Sequence, residues 1–240
     1  MKNISLDSVL LFALIIPYIM TYRLSPGPTP YWLFGFIFLS LFTYLVLDLI
    51  KFSNKRYFLF KQVIFWLLVI ETIGSSFISA IIVRHQTAPV YGVHDIILQQ
   101  ESAIQFLLQG KNPYEVTYFG TPLEQWHYSD TEKNPALYHF VMQPFYLIFS
   151  LPFYFLSITF FGFFDGRMPL LFLFLTLLLL AARLVQDGDK RRLFLVILAF
   201  NPAMLGFTLE GRSDIFMFAF LFAGLYMLHR RKYLVSGIPI

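Results

Sequence analysis

Long apolar runs, separated by short connectors, dominate this chain: Ser8 to Tyr22, Tyr31 to Ile50, Tyr57 to Val83, and again from Pro135 almost to its end. In lipid, backbone N–H and C=O groups must be satisfied within the protein, so such runs cross a bilayer as helices of about 20 residues. Charged residues make up 13% of the 240, about half the share of a soluble domain, so too few polar groups exist to cover so many buried helices with water. The runs therefore predict an all-α, polytopic membrane helical bundle. With no cysteine, the chain has no disulfide framework, thiol nucleophile or thiolate metal site. A net charge of +4 in such a chain points to membrane orientation and gives no reason to expect a nucleic acid partner.

Basic connectors favour the cytoplasm, which places Lys51, Lys55 and Arg56 inside and the segment 84–134 outside. From Pro135 to Phe164 the chain is too long for one span and carries Pro144 and Pro152. A re-entering hairpin is expected there, with Ala136 to Ser150 going in, a turn at Leu151-Pro152, and Phe153 to Phe164 coming out. Spans Pro169 to Leu184, Leu193 to Leu209 and Ile215 to Leu228 then alternate so that the run Lys190 to Arg192 and the run Arg230 to Lys232 lie inside. Of the eighteen Lys and Arg, only Arg23, Arg84, Lys111, Lys133, Arg167 and Arg212 remain outside. The expectation is one transmembrane domain over 1–240 with about eight spans. A ninth span is expected to begin near Tyr233, the chain looking incomplete at its C-terminus.

The longest polar interruption runs from Tyr91 to Asn134. Within it, Asp95 to Gln109 reads as a helix, started by a cap at Asp95 and ended by Gly110 in a left-handed conformation. At 100° per residue Ile96, Ile97, Ala103, Ile104, Leu107 and Leu108 share one face, while Asp95, Gln99, Ser102 and Gln109 gather opposite. The pattern predicts an amphipathic interfacial helix with its polar side turned to water or a cavity. Lys111-Asn112-Pro113-Tyr114 follows as a turn.

Several polar groups in the outer segments are candidates for chemistry or binding. Asp95, at a helix tip, is a carboxylate able to take a proton from a hydroxyl, with His94 beside it. Tyr114, Trp126 and Tyr138 suit an interfacial aromatic belt or the C–H face of a sugar ring, and His127 joins Glu124 and Trp126 in a second polar cluster. Glu101 falls at the edge of the polar face. Glu210-Gly211-Arg212-Ser213-Asp214 joins two spans on the side of Asp95, where an arginine suits a lipid phosphate. Glu71 stands inside the third span, a costly place for an acid without a partner or a wet cavity. No metal-ligand signature or nucleotide-binding motif is present, and no cofactor is expected.

From Asp95 to Tyr114, through Phe106-Leu-Leu-Gln-Gly-Lys-Asn-Pro-Tyr114, the sequence resembles the GT-C type of integral membrane glycosyltransferase. Asn134-Pro-Ala-Leu-Tyr138, Gln143-Pro144, Leu151-Pro152, Asn201-Pro202 and Glu210 to Asp214 extend the likeness over roughly Val90 to Gly237. The resemblance implies a plasma-membrane enzyme of a bacterium or archaeon with its active face outside, using a polyprenyl-phosphate sugar donor and a lipid or glycan acceptor. It implies inverting hexosyl or pentosyl transfer, as in mannosyltransferase-like members, with Asp95 as base. His94, Glu101, Lys111, Asn112, Tyr114, Trp126, His127, Tyr138, Glu210, Arg212 and Asp214 would then bind substrates. Relatives run longer and often carry Gln where Arg212 stands. Glu71 and Asn201-Pro202 support a different expectation: a lipid-carrier transporter, or an assembly partner of a complete transferase.

Overall fold

The computed structural model describes residues 4–50 and 54–230, all the regular structure of which is helical. Helix α1 is Leu6–Thr21, α2 is Tyr31–Leu49, and the Pro-rich connector before Tyr31 keeps them apart. Asn54–Val69 (α3) and Ser75–Thr87 (α4) form one long rod, joined through a π-helical turn at Ile70–Gly74 that carries Glu71. Helix α5 is Asp95–Leu108, α6 is Pro144–Phe161, and α7 is Arg167–Leu184. Gly188–Ala199 (α8) and Pro202–Glu210 (α9) meet at a 45° bend. Asn201 caps α9 from the Met204 amide, so the Asn-Pro pair begins a new helix rather than merely kinking an old one. Helix α10 is Asp214–His229.

Four helical segments among the described residues are long and apolar enough to cross a membrane: α2, the α3–α4 rod, α6 and α7. The bent α8–α9 pair makes up to five, and α1 and α10 are apolar but shorter. Several apolar helices of this kind mark a multi-pass membrane protein. Eight spans are not reached by these lengths. Lys51, Arg231, Lys232 and the expected ninth span from Tyr233 lie outside the described residues.

Two buried ionic clusters define the ends of the bundle. At one end the fully buried Lys61 of α3 donates to Asp48 of α2 at 2.6 Å and to Asp7 of α1 at 3.2 Å. Arg192 of α8 reaches the same Asp7 oxygen at 3.2 Å, and Tyr44 donates to it at 2.5 Å. Such charges persist in an apolar interior only because each has a partner, and removing one would leave the others uncompensated. At the other end Arg84, which closes α4, bonds Asp165 at 2.9 Å and Glu101 of α5 at 2.7 Å. Arg167, the first residue of α7, bonds Asp165 at 2.7 Å and donates to the Leu209 carbonyl of α9.

The expected hairpin between Pro135 and Phe164 is absent. Pro144–Phe161 is a single helix that runs through Pro152, because one proline removes only one amide and an apolar setting offers no competing water. The helix stops at Gly162, whose φ of +77° is left-handed. Yet this helix does not invert the chain. Its start packs Phe145 and Phe149 on Phe216 and Phe220, in the first turns of α10. Phe153 packs on Phe172 in the first turns of α7, and just beyond the helix Phe163 stacks on His85 at the end of α4. Eighteen residues extend about 27 Å, but both ends of α6 meet the Arg84–Arg167 end of the bundle. It lies across that end, and Asp95, Arg167 and Arg212 share it. Arg56, in the first turn of α3, and Lys190, in the first turn of α8, belong to the Lys61 end.

Helix α5 is also less interfacial than its periodicity suggests. Gln99 and Ser102 of the supposed wet side are buried, as is Gln100 on the apolar side, whereas Leu107 and Leu108 of the apolar side are 37% and 48% exposed. The amide of Gln99 donates to the Ala136 and His139 carbonyls, and Gln100 bonds the Ser150 hydroxyl of α6. The loop after α5 thus covers the polar face at Gln99, and α6 meets the opposite side at Gln100. Ile97 fits against the bundle because Gly166 and Gly211 have no Cβ to strike it. Single cysteines in this cysteine-free chain test the two-ended layout with an impermeant thiol reagent. Thr29→Cys and Ser129→Cys, both exposed at the Asp95 end, label from one side of sealed vesicles, and Gln186→Cys labels only from the other.

Candidate functional site

Asp95 is the first residue of α5, and the cap is His94, whose Nδ1 lies 3.5 Å from the Ile96 amide. The expected cap at Asp95 is therefore displaced by one residue. The carboxylate keeps a tie to the Ile96 amide and also faces two side chains. Its Oδ1 lies 2.5 Å from His94 Nδ1, and its Oδ2 accepts from the Asn134 amide at 2.7 Å. That contact is a close approach of charge rather than a hydrogen bond, since Nδ1 accepts from the Ile96 amide and the buried Oδ1 has no hydrogen-bond partner among the described residues. Burial pushes the Asp95 carboxyl up, but the close His94 ring and the hydrogen bond from Asn134 outweigh it and hold the group below its ordinary value. It is ionised at neutral pH.

The surroundings fix this pair in place. The His94 amide donates to the Glu210 carbonyl at 2.7 Å, tying the start of α5 to the end of α9. Trp126 packs its ring on that of His94 with centroids 5.6 Å apart, and its indole N–H donates to the Val93 carbonyl at 2.9 Å. Gly211, at φ +86°, lets the chain leave α9 without meeting Ile97. Arg212 folds back on Glu210 at 2.9 Å and lies over the Phe207 ring at 4.4 Å. So His94, Asp95, Trp126, Glu210 and Arg212, distant in sequence, form one neighbourhood.

Other expected binding residues fall elsewhere. Glu101 is bound by Arg84 and by the Gly166 amide, so its carboxylate ties α5 to the bundle, and with Arg84 and Asp165 it lines a separate cavity of about 190 Å³. The Lys111 to Tyr114 turn follows the far end of α5, about 20 Å from Asp95 along fourteen residues of helix. There Asn112 accepts from the Tyr114 amide, Lys111 lies over Phe106, and the Tyr114 hydroxyl donates to the Met142 carbonyl. These contacts pin the covering loop. His127 is exposed with Asp130 at 3.7 Å, Tyr138 packs edge-on against Phe119, and Asp214 is an exposed first residue of α10. None of the three touches the Asp95 pair.

A cavity of about 170 Å³ opens beside the site, walled by Tyr22, Arg23, Ser79, Tyr91, Arg167 and Glu210 among others. The Ser79 hydroxyl is fully buried and has no hydrogen-bond partner. A void near 150 Å³ is enough for a six-membered ring, so this one has room for a single sugar ring with hydroxyl, guanidinium and carboxylate groups in its wall. Asn134, Ser79 and Tyr22 were not marked by local pattern as part of a site. Asn134 enters the sequence reading only as the start of Asn134-Pro-Ala-Leu-Tyr138 in the resemblance, and Ser79 and Tyr22 lie in apolar runs. Among the described residues no three His, Asp or Glu side chains converge as a metal-ligand group.

No protein-family model, curated protein or solved structure matches this chain.

Asn134→Asp tests the electrostatics of the pair. It keeps an oxygen to accept from the Ala136 amide but replaces the donor facing Asp95 with a second acid. The sign follows from the depressed carboxyl. The stability it contributes is present above the ordinary carboxylate range and is lost as pH falls through the folded value. The variant should be less stable by about 1.5–3 kcal/mol at neutral pH. The deficit should narrow on acidification as one acid takes up a proton, read by thermal unfolding in detergent.

Proposed function

We propose that this chain is a GT-C-like membrane glycosyltransferase, moving a hexose or pentose from a polyprenyl-phosphate carrier to an acceptor hydroxyl with inversion. The observation that carries the reading is an ionised, oriented Asp95 beside a cavity of about 170 Å³ at a membrane-facing end of the bundle. Inverting transfer needs a group to remove the acceptor proton, space for the sugar, and a cation to steady the departing phosphate. Asp95 anchors the first, the cavity supplies the second, and Arg212 or the cavity-lining Arg23 supplies the third. The end carrying Asp95 faces outside. The Lys61 end, with Arg56, Arg183 and Lys190 to Arg192, faces the cytoplasm of a bacterium or archaeon, in keeping with the excess of basic residues on cytoplasmic connectors. The chain continues the resemblance noted at Asp95 to Tyr114, although the Lys111 to Tyr114 turn then acts as a brace for the covering loop.

A second reading has one observation in its favour. Glu71 sits midway along the α3–α4 rod on the π-helical turn, where the Ser40 hydroxyl donates to Oε1 at 3.3 Å and Oε2 has no hydrogen-bond partner among the described residues. Buried acids and π turns accompany transport paths, so a lipid-carrier transporter would depend on Glu71 and not on Asp95. Membranes containing the chain, supplied with radiolabelled polyprenyl-phosphate hexoses and pentoses, separate the two. The transferase reading predicts label in a new glycolipid or glycan and its loss, by about 100-fold or more, in Asp95→Asn, with Glu71→Gln active. Equal transfer by wild type and Asp95→Asn would remove Asp95 from the mechanism. Lipid flux abolished by Glu71→Gln alone would establish the transporter.

A further inference from the structure

At the Lys61 end, a narrow cleft between α3 and α8 is lined by Phe58, Gln62, Phe65, Arg191, Arg192 and Leu195. Its enclosed volume of about 10 Å³ has room for a single oxygen atom, the size of one water. Arg192 is 6% exposed, and its guanidinium is held along one edge, where Nε donates to Asp7 at 3.2 Å and Nη2 donates to Asp189. The rings of Tyr57 and Phe58 lie 5.2 and 4.7 Å from its central carbon and fix its plane. Phe58 reaches α8 because Gly188 has no Cβ, which would stand 2.7 Å from the ring. The other edge is bare: Nη1 is buried and has no hydrogen-bond partner among the described residues. An arginine stays protonated, so Nη1 carries charged donors without an acceptor, a costly state for a buried group. At the mouth, the side chains of half-buried Arg191 and exposed Gln62 make no hydrogen bond or ion pair among the described residues. Two cations and an amide with unused donors thus line a space for one oxygen.

We propose that this cleft binds the phosphate of an anionic phospholipid, at a site apart from the Asp95 end and independent of the transfer reaction. One phosphate oxygen enters the cleft and accepts from Arg192 Nη1. Arg191 meets a second oxygen at the mouth, and the Gln62 amide donates to the same headgroup. Guanidinium groups hold phosphate oxygens through charge-assisted hydrogen bonds. Phe58, Phe65 and Leu195 supply an apolar wall for the start of the acyl chains, and exposed Leu59 and Val63 continue the lipid-facing side of α3. The charge around the cleft is complementary: α1, α2, α3 and α8 with its cap carry six Lys and Arg against four Asp, which leaves two positive charges. Asp189 already occupies the neighbouring Nη2 and repels a dianion, so the ligand class is the singly charged phosphodiester of a lipid such as phosphatidylglycerol. In the orientation proposed above, this end meets the cytoplasmic leaflet, whose anionic lipids are drawn to basic pockets between helices.

The test uses the full chain, purified in detergent with equal amounts of phosphatidylglycerol and phosphatidylcholine, and counts bound lipids by native mass spectrometry. Wild type is expected to retain phosphatidylglycerol in preference to phosphatidylcholine, whose ammonium group the excess positive charge repels. A large excess of inorganic phosphate should leave the lipid in place. Arg191→Glu and Gln62→Glu each put an acid at the mouth and should lower phosphatidylglycerol retention about tenfold or more. Neither side chain has a bond to lose, so thermal unfolding of both variants should match wild type, and either one alone suffices for the test. Lys190→Glu makes the same charge reversal one residue away, outside the cleft, and should keep the lipid. Three outcomes overturn the proposal: equal retention of the two lipids, displacement by inorganic phosphate, or a loss in Lys190→Glu as large as in Arg191→Glu. The last would reduce the basic run to a general charge with no built site. A chain that transfers no sugar counts against the transferase reading alone and leaves this site standing.

Discussion

Arg84 and Arg167 share the buried carboxylate of Asp165, and the arrangement of the Asp95 end depends on that shared group. Burial pushes the Asp165 carboxyl up, but hydrogen bonds from Arg167 and the nearby Arg84 charge more than offset it and hold it below its ordinary value. Arg84 spends its remaining hydrogen bonds on Glu101, in the middle of α5, and on the Pro89 carbonyl. Arg167 reaches α4 at the Ala80 carbonyl and α9 at the Leu209 carbonyl. One ionic cluster thus links the end of α4, the middle of α5, the α6–α7 connector and the end of α9. Losing one partner of such a cluster typically destabilises by about 3–5 kcal/mol, because the others stay buried without compensation. The position of Asp95 follows from this cluster together with the His94 amide bond to the Glu210 carbonyl, which ties the start of α5 to α9.

The opposite cluster, built on Lys61, does the same for α1, α2, α3 and α8. Apolar contacts between membrane helices are nearly as good with lipid as with each other, so polar ties carry much of the specificity. Each cluster sits at the level of helix ends rather than at mid-bilayer, where a charge is most expensive. Glu71 is the exception, and its π-helical turn is the one place where the long rod departs from regular geometry.

Apolar run length made most helices legible in the sequence. The α2, α7 and α10 boundaries fall within a few residues of expectation, and Gly110 is left-handed where the turn requires it. Proline has two different effects: Pro152 is only a missing amide inside a continuous helix, whereas at Asn201-Pro202 a new helix begins. The difference is the capping side chain: Asn201 satisfies the freed amides, while nothing near Leu151 does so. Helical periodicity could not tell that the polar face of α5 meets backbone carbonyls of a covering loop rather than water. At the site, His94 and Asp95 are legible because they open the helical pattern within the polar segment. Asn134 and Ser79 are not, since their roles depend on contacts 39 residues away for one and on a missing partner for the other.

The account turns on α6, because a helix of 18 residues could cross the bilayer or lie along one end of the bundle. Only the second keeps Asp95 on the same side as Arg167 and Arg212. Environment-sensitive fluorophores attached at Val141→Cys and Phe161→Cys, both exposed and flanking the ends of α6, measure this directly in sealed proteoliposomes. An impermeant aqueous quencher added on one side is predicted to dim both positions together, and on the other side neither. Quenching of one position from each side would make α6 a crossing helix, separate Arg212 from Asp95, and contradict a single site at that end.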